Sequence, residues 1–267
     1  MFDYKIGFIG SGNIATAIFG GITSSGYIKP ENVYLFDTDS AKTVSFCEKG
    51  AVALTSAEEV TALCDFVFLT VKPQIYPTVL SYIKPFALNT CFISVAAGIT
   101  IDFIKDALGF DAPVVRVMPN TPMLYGLGSS GIVKQAPVTD EQFDFVKGCF
   151  DSCGVTSVVD ESLINVVTAV SGSAPAYIML FAKCFIDFAV SNGICSEDAE
   201  KLVLQVFKGS AEMIATDSHS PEELIKMVTS PNGTTQAGLN SLDAASFEKI
   251  VADCLSATVK RADELTK

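Results

Sequence analysis

Short runs of β-branched and aromatic residues alternate with longer amphipathic segments through the first half of the chain. The runs are KIGFIG (5–10), NVYLFD (32–37), FVFLTV (66–71), CFISVA (91–96) and VVRVM (114–118). Strands that alternate with helical segments are typical of βαβ units, in which parallel strands are buried on both faces. The pattern predicts a parallel sheet covered by helices.

Two further extended runs close this first half. SSGIVK (129–134) and VTSVV (155–159) flank a segment that begins with Thr139, which has capping-box spacing to Gln142. We therefore predict one α/β domain over residues 1–160.

After Asp160 the strand patterns stop and long helical runs follow, which predicts an all-α domain over residues 161–267. Gly193 is a candidate helix stop and Ser196 a candidate N-cap. The run SPEE (220–223) places a cap, a proline at the first helical position and a reciprocal glutamate in order.

The predicted helices carry apolar residues on more than one face. Examples in one helix are Ile178, Leu180, Phe181, Phe185, Ile186 and Phe188. A domain of this size with so much apolar surface is expected to bury a face against a second copy of the chain. The pattern thus predicts a homodimer, or a larger homo-oligomer built from dimers.

Composition narrows the possible functions. The chain of 267 residues has 18 Lys plus Arg against 30 Asp plus Glu, which disfavours nucleic acid as a partner. Uninterrupted apolar runs fall short of the roughly 20 residues of a membrane span. No signal peptide is recognisable, so we expect a soluble, cytoplasmic protein. The eight cysteines form no C-x-x-C pair and have no partner histidines, so we expect no metal site and no disulfide framework.

The first strand ends at a turn that is typical of dinucleotide binding. Gly10, Gly12 and Ala15 follow a strand and open a helix, with the spacing G-x-G-x-x-A. The first glycine permits the turn, the second leaves room for a pyrophosphate, and the alanine allows close packing of helix on strand. The alternative is an ordinary strand-to-helix turn. Asp37 ends the second strand near the distance at which an acid meets an adenosine ribose, which favours a Rossmann-type dinucleotide-binding domain.

Asp37 leaves the choice of cofactor open. A carboxylate there accepts a hydrogen bond from a free 2′-hydroxyl and repels a 2′-phosphate, which argues for NAD. The residues that follow include Thr38, Ser40 and Lys42, which are candidate phosphate ligands for NADP.

Histidine-based catalysis is not expected. The single histidine, His219, directly precedes the SPEE cap, a position typical of a surface residue. Two clusters rich in Ser, Thr and Gly stand out instead, AVSGSAPAY (169–177) and VTSPNGTTQAGL (228–239). The second ends at a predicted helix start near Thr234 or Thr235, where free N–H groups can hold a carboxylate. Taken singly, both clusters are also compatible with simple interhelical turns.

At these residues the chain resembles the pyrroline-5-carboxylate reductase family, whose enzymes catalyse the last step of proline synthesis. The resemblance runs from end to end through IGFIGSGNIATAI, TVKP (70–73), SVAAGIT (94–100), RVMPNTP (116–122) and the two clusters. Asn232 stands where the family usually has Gly, and Ala174 where it often has Gly or Ser. Asn tolerates positive φ, so the turn is expected to survive.

The resemblance implies a set of site residues. For the pyrophosphate these are Gly10, Ser11, Gly12, Asn13 and Ile14; for the ribose and nicotinamide, Val71, Lys72, Pro73, Ala96, Ala97, Gly98, Asn120 and Thr121; for the substrate, Ser230, Asn232, Gly233, Thr234 and Thr235. Asp37, placed by the glycine-turn fingerprint, completes the candidate cofactor residues. The resemblance also implies NADPH more often than NADH, and a pocket at a dimer interface.

The implied reaction is hydride transfer to the C=N carbon of pyrroline-5-carboxylate, with the Thr235 hydroxyl near the ring nitrogen. A protonated imine accepts hydride without a further acid, so the absence of a catalytic histidine is expected. Lys72 is an alternative acid, although its position after a strand favours a cofactor-lining role. Rival interpretations are a β-hydroxyacid dehydrogenase, which needs a lysine in a G-x-x-x-K setting, and a nucleotide sensor without catalysis.

Overall fold

The computed structural model describes residues 2–266; the outermost residues of the two predicted domains lie outside this range. Eight strands form one sheet. They are β1 (Ile6–Ile9), β2 (Val33–Phe36), β3 (Val52–Ala53), β4 (Phe66–Leu69), β5 (Cys91–Ser94), β6 (Val114–Met118), β7 (Gly128–Val133) and β8 (Gly154–Val158). All seven predicted strands are present. The additional strand, β3, has only two residues, both exposed, and so lacks the apolar run that marks the others.

The strand order is β3-β2-β1-β4-β5-β6-β7-β8. Neighbouring strands are parallel throughout except for β6 and β7, which pair antiparallel. The prediction of a parallel, Rossmann-type sheet is thus confirmed, with one reversed strand pair. Since β1 lies between β2 and β4, the direction of chain crossover reverses at β1, and such a switch point opens a crevice at the carboxyl ends of the strands.

Twelve α-helices are present among residues 2–266. They are α1 (Asn13–Ser24), α2 (Val44–Cys47), α3 (Ala57–Leu63), α4 (Tyr76–Ile83), α5 (Ile101–Leu108), α6 (Asp140–Asp151), α7 (Ile164–Val167), α8 (Ala174–Ser191), α9 (Ser196–Thr216), α10 (Pro221–Met227), α11 (Thr234–Ala244) and α12 (Phe247–Leu265). After β8 the described chain holds only helices and turns, which confirms the predicted all-helical second part.

The sheet is buried on both faces, as its apolar runs predict. Alternate side chains of each central strand enter different clusters: Phe8 and Phe68 pack with α1 residues on one face, and Val67 packs with Leu80 and Ile104 on the other. The rings of Phe8 and Phe68 stack with centroids 4.9 Å apart. This two-sided burial fixes the register of β1 and β4, and with it the position of the loops that follow them.

Most predicted helix boundaries are correct. Thr139 and Ser220 each form a complete capping box, and Gly193 has φ +98° after the end of α8. The predicted N-cap at Ser196 is wrong: Cys195 has extended backbone and occupies the cap, while Ser196 is the first helical residue. Ser196 resembles an N-cap in the sequence because serine is a preferred cap residue and the acidic Glu197 and Asp198 follow it, as acidic residues often do at a helix start.

The chain divides into two compact units. One contains Met1–Pro175 together with Thr258–Lys267, and the other contains Ala176–Ala257. The predicted boundary at 160/161 follows the end of the strands, whereas compactness assigns residues 161–175 and the end of α12 to the first unit. The domain boundary at 160/161 therefore stays a prediction.

The helical part carries a long apolar stretch. Glu161–Ser191 is long and apolar enough for a membrane span by length and composition alone, with a mean hydropathy of 1.5 in its most apolar window. One such helix is weak evidence for a membrane span, and the expectation about uninterrupted apolar runs is not contradicted. Its apolar residues are interrupted by Ser, Thr and Gly, so that no single run is long. Ile178, Leu180 and Phe188 are 56%, 60% and 71% exposed, so this surface lacks a cover within one chain.

Candidate active site

Most residues predicted to hold the cofactor lie on loops that follow the carboxyl ends of five neighbouring strands, and Asn13 and Ile14 begin α1 directly after the first loop. These loops are residues 10–12 after β1, 37 after β2, 70–73 after β4, 95–98 after β5 and 119–121 after β6. Carboxyl ends of parallel strands meet at one edge of a sheet, and ligands of such folds bind there at the switch point. Five segments far apart in sequence thus meet at one edge.

The glycine turn has the geometry that its sequence predicts. Gly10 has φ +100°, and a Cβ there would lie 2.9 Å from the carbonyl group of Thr70. The Gly10 N–H donates to the Phe36 carbonyl over 2.8 Å. At Gly12, by contrast, a Cβ would meet no atom within 4 Å, so the space beside the first turn of α1 is open. The open space and the helix N-terminus suit an approaching anion.

Ser11 carries an unsatisfied buried hydroxyl. Ser11 is 5% exposed, and its Oγ is the one buried side-chain polar atom without a hydrogen-bond partner among the described residues. A buried polar group without a partner costs about 1–3 kcal/mol. An orphaned hydroxyl next to the open space at Gly12 fits a ligand with hydrogen-bonding oxygens, such as a pyrophosphate.

The Asp37 carboxylate accepts hydrogen bonds from the backbone of the glycine turn and of the residues after β2. Its Oδ2 accepts the N–H of Ser11 over 2.7 Å, and its Oδ1 accepts the N–H of Asp39 over 2.9 Å. The ammonium of Lys42 lies 4.0 Å from the same carboxylate. With both oxygens engaged by amides and a cation close by, the carboxylate repels a 2′-phosphate less than the sequence alone suggests.

Below the loop after β4, a buried tyrosine ties two strands together. The Tyr76 hydroxyl donates to the Leu69 carbonyl over 2.7 Å and lies 3.1 Å from the Ser94 Oγ. Burial raises the pKa of Tyr76 above its ordinary value, so the phenol stays protonated as a donor. Above it, Val71 and Pro73 are half-buried and the Lys72 side chain is exposed, which leaves this loop available to line a ligand.

The loop after β5, which is predicted to line the ribose, is largely covered by the protein itself. Ala96 and Gly98 are buried, and Ala97 is half-buried. Gly98 has φ +76°, and a Cβ there would lie 2.5 Å from the carbonyl oxygen of Leu265. The backbone of α12 therefore fills the side of Gly98 where a side chain would stand.

Asn120 has a structural role that the sequence did not reveal. It is 8% exposed; its Oδ1 accepts the N–H of Ser129 over 2.9 Å, and its Nδ2 donates to the Ser171 carbonyl over 3.3 Å. Ser171 lies in a π-helical turn, Thr168–Gly172, and its hydroxyl donates to the Ser129 carbonyl over 3.0 Å. The first Ser/Gly cluster thus packs on the loop after β6, where Thr121 remains exposed.

The second Ser/Thr/Gly cluster forms a tight turn that opens α11. Asn232 adopts φ +59°, as expected for Asn in a position that favours glycine. The Gly233 N–H donates to the Ser230 carbonyl over 2.9 Å, and Gly233 is the N-cap. The helix starts at Thr234, so its first-turn amides have no intrahelical acceptors, and no side chain caps them. The predicted substrate residues Ser230, Asn232, Thr234 and Thr235 are exposed.

His219 has the surface position that was predicted. Its Nδ1 lies 2.6 Å from Asp217 Oδ1, and its backbone N–H, which donates to the same oxygen, lowers the pKa of that carboxyl. Within residues 2–266 no group of three or more His, Cys, Asp or Glu side chains is arranged to hold a metal ion. Four of the eight cysteines are buried and four are exposed.

One site-supporting pair escaped the sequence analysis. Arg116 is 3% exposed within β6, and its Nη1 donates to Glu161 Oε1 over 2.9 Å. The same oxygen accepts the N–H of Ile101 over 2.9 Å at the start of α5. The sequence contains one indication of this pair: Arg116 lies within a strand predicted to be buried, and a buried charge requires a partner.

Two family models match the chain. Residues 161–265 match the model described as pyrroline-5-carboxylate reductase dimerisation, and residues 5–98 match the model described as NADP oxidoreductase, coenzyme F420-dependent. Over its full length the chain is 36% identical to the pyrroline-5-carboxylate reductase of Escherichia coli (strain K12), with 99% of both chains covered. The chain belongs to the pyrroline-5-carboxylate reductase family.

Solved structures of this family have the same fold. The crystal structure of Plasmodium falciparum pyrroline carboxylate reductase with NADP bound is 32% identical, superposes with a TM-score of 0.92 and covers all of both chains. The pyrroline-5-carboxylate reductase of Coxiella burnetii is also 32% identical, with a TM-score of 0.93 over all of both chains. The family resemblance expected from the motifs is confirmed along the whole chain.

The orphaned hydroxyl gives a first test. Replacing Ser11 by Ala removes an unsatisfied buried group, so we expect the free energy of unfolding without ligand to stay constant or rise by about 1–3 kcal/mol. We expect binding of NADPH to weaken by about tenfold or more, since a hydrogen bond to a charged group is worth about 1.5–3 kcal/mol. Chemical denaturation and isothermal titration calorimetry measure the two quantities.

Ser94→Ala is the matched control for this test. Its hydroxyl is fully buried but lies within hydrogen-bond distance of Tyr76, so its loss should lower stability. Equal destabilisation by Ser11→Ala and Ser94→Ala would show that the Ser11 hydroxyl is not reserved for a ligand.

Proposed function

We propose that this chain reduces 1-pyrroline-5-carboxylate to L-proline with NADPH as the hydride donor. The observation that carries the proposal is the meeting of five predicted cofactor loops at the switch point of the sheet, beside the unsatisfied Ser11 hydroxyl. Membership of the pyrroline-5-carboxylate reductase family and the NADP-bound relative support the same reaction. The proposed setting is the cytoplasm.

The chain's own groups suit the dinucleotide. Free amides at the start of α1 (Gly12, Asn13, Ile14) and the Ser11 hydroxyl would bind the pyrophosphate. The loops after β4, β5 and β6 would line the ribose and nicotinamide. NADPH is favoured over NADH by the relative solved with NADP bound and by Lys42 and the hydroxyls of Thr38 and Ser40, which follow Asp37 in sequence; one acceptor site on each Asp37 oxygen is already taken by a backbone amide.

When bound, the reduced nicotinamide supplies a hydride, which carries two electrons to the C=N carbon of the substrate. The π electrons of the C=N bond then remain on nitrogen, and a nitrogen already protonated needs no further proton. The chain must therefore bind and orient the substrate, and it need not supply a strong acid. The exposed His219, paired with Asp217, is consistent with this minimal demand.

The turn before α11 would hold the substrate. The N-terminus of this eleven-residue helix offers the uncapped amides of Thr234 and Thr235, and a carboxylate is the kind of group that such amides bind. We propose that Ser230, Asn232 and Gly233 shape the turn and that the Thr235 hydroxyl hydrogen-bonds the ring nitrogen. Two observations support this role of the turn: Asn232 has a positive φ, and Gly233 is the N-cap of α11.

The helical part is proposed to form a homodimer, alone or within a larger assembly. Its apolar surface on α8 is exposed in one chain, and the same segment matches the dimerisation model of the family. Burial of this surface against a second copy removes it from water at about 25 cal/mol per Å². The membrane-like hydropathy of residues 161–191 is then accounted for by subunit contact.

The reaction is tested by steady-state kinetics with 1-pyrroline-5-carboxylate. We expect loss of NADPH absorbance with formation of proline, and a higher kcat/KM with NADPH than with NADH. Hydroxyacids with the oxidised cofactor should give no turnover. Turnover of hydroxyacids would favour a β-hydroxyacid dehydrogenase, and tight NADPH binding without turnover of any cyclic imine would favour a sensor.

Thr235→Ala tests the substrate role. We expect kcat/KM for pyrroline-5-carboxylate to fall by about 10²-fold, as for the loss of a group that hydrogen-bonds the reacting atoms. The dissociation constant of NADPH should stay nearly unchanged. Thr235→Ser keeps the hydroxyl and should retain most activity. Thr216→Ala, on an exposed face of α9, is the control; a Thr235→Ala enzyme as active as this control would remove Thr235 from the reaction.

Phe188→Asp tests the subunit contact. The Phe188 side chain is 71% exposed on α8, and a charge there would lie in the proposed interface. We expect the dissociation constant of the oligomer to rise by at least about tenfold, measured by light scattering over a dilution series. Leu88→Asp is the matched control, because Leu88 is 73% exposed but lies outside residues 161–265, the segment that matches the dimerisation model. Equal behaviour of the two variants would place the interface elsewhere.

A further inference from the structure

The loop between β5 and α5, residues 95–100, is in contact with chain segments far away in sequence. Its Gly98 adopts φ +76° and faces the backbone of Leu265 at the end of α12. A Cβ on Gly98 would lie 2.5 Å from the Leu265 carbonyl oxygen and 2.9 Å from its carbonyl carbon. Only glycine satisfies both the positive φ and this close approach.

The other end of the same loop is held by a carboxylate. Ile101 is the first residue of α5, and its N–H donates to Glu161 Oε1 over 2.9 Å. This contact satisfies one of the free amides of the helix N-terminus with a negative charge. The carboxylate is itself fixed, because buried Arg116 donates to the same oxygen over 2.9 Å.

The last turn of α12 is anchored where it meets the loop. Ala262 is 6% exposed, and Asn165 Nδ2 donates to Asp263 Oδ1 over 2.7 Å and to Thr266 Oγ1 over 3.2 Å. The Thr266 hydroxyl in turn donates to the Ala262 carbonyl over 2.9 Å. The contact at Gly98 is therefore part of an ordered attachment rather than a loose chain end.

These two contacts come from the two ends of one segment. The dimerisation model of the family matches residues 161–265, and its first and last residues are the ones that hold the loop. We propose that Glu161 and the backbone of Leu265 are positioning groups for the 95–100 loop, and that attachment of both ends of the helical segment sets the affinity for the cofactor. The inference rests on the proposed function, in which this loop lines the cofactor.

The physical basis is the close fit of the loop. Ala96 and Gly98 are buried, so the loop has little space in which to shift without losing its packing. Loss of either contact would let its backbone relax toward the space left behind. A displacement of about 1 Å between aligned groups costs up to about 10²-fold in reaction rate, and we expect a smaller effect, about tenfold, on cofactor binding.

The first experiment is a double-mutant cycle on the whole protein, with both domains present and NADPH as the probe. One variant ends after Glu264, which removes Leu265 together with Thr266 and so tests the contact with Gly98 and the anchor to Asn165 as one attachment; the other is Gly98→Ala. We expect each to raise the dissociation constant of NADPH by about tenfold. Because both disturb the same contact, the double variant should lose less than the product of the two single effects.

Gly26→Ala is the matched control for backbone strain. Gly26 has φ +69°, but a Cβ there would meet no atom within 4 Å, so only the strain of positive φ is introduced. We expect it to leave the dissociation constant of NADPH unchanged. KM for pyrroline-5-carboxylate at saturating NADPH should also change less than twofold in the truncated chain, which separates cofactor positioning from general damage.

The second experiment compares Glu161→Gln with Glu161→Ala. Both remove the negative charge that pairs with Arg116 and should lower thermal stability, Ala more than Gln, because the Gln oxygen still accepts from the buried guanidinium. Only Gln keeps a side-chain oxygen that accepts the Ile101 N–H, so we expect it to retain an NADPH dissociation constant several-fold lower than Ala does.

The outcomes are distinguishable. Truncation and Gly98→Ala that bind NADPH like the unmodified chain, or that combine multiplicatively, would overturn the positioning role of Leu265. Equal affinities of the two Glu161 variants would overturn that of Glu161. Failure of the unmodified chain to bind or oxidise NADPH with pyrroline-5-carboxylate would instead refute the proposed function itself.

Discussion

Parallel pairing of β1 with both β2 and β4 is the constraint on which the candidate site depends. The pairing aligns Ile9 with Phe36 on one side and with Leu69 on the other, so the three strands end at the same level. The loops that follow must then turn away at one edge, and the reversal of crossover direction at β1 leaves space between them. Gly10 makes this crowding possible, since any Cβ there would strike the carbonyl of Thr70.

The same edge has two kinds of polar group, and their difference indicates where a ligand belongs. The Asp37 carboxylate and the Asn120 amide are engaged by backbone groups of neighbouring loops, so they hold the site in shape. The Ser11 hydroxyl is buried without such a partner. Because unsatisfied buried groups are costly in a protein alone, this hydroxyl supports the proposed pyrophosphate site more directly than the satisfied groups around it.

The sequence was sufficient to predict those features that depend only on a few neighbouring residues. The strands of the sheet, the capping boxes at Thr139 and Ser220 and the positive φ of Asn232 each follow from a few adjacent residues. Contacts between distant segments were not accessible in this way. Nothing near Gly98 in sequence indicates that Leu265 fills its open side, and the partner of Arg116 lies 45 residues away at Glu161. The two-residue β3 was missed because it has no buried face to leave a pattern.

The position of Asp37 shows why residue type alone misleads about cofactor choice. A carboxylate after β2 is taken to select a free ribose hydroxyl because its oxygens are assumed to be available. Here each oxygen accepts a backbone N–H, and Lys42 lies 4.0 Å from one oxygen and 3.8 Å from the carboxylate of Asp39. These amides and the nearby ammonium offset part of the negative charge that a 2′-phosphate would meet. The electrostatic argument against NADP therefore weakens once hydrogen-bond partners are counted, which agrees with the proposal that NADPH is the hydride donor.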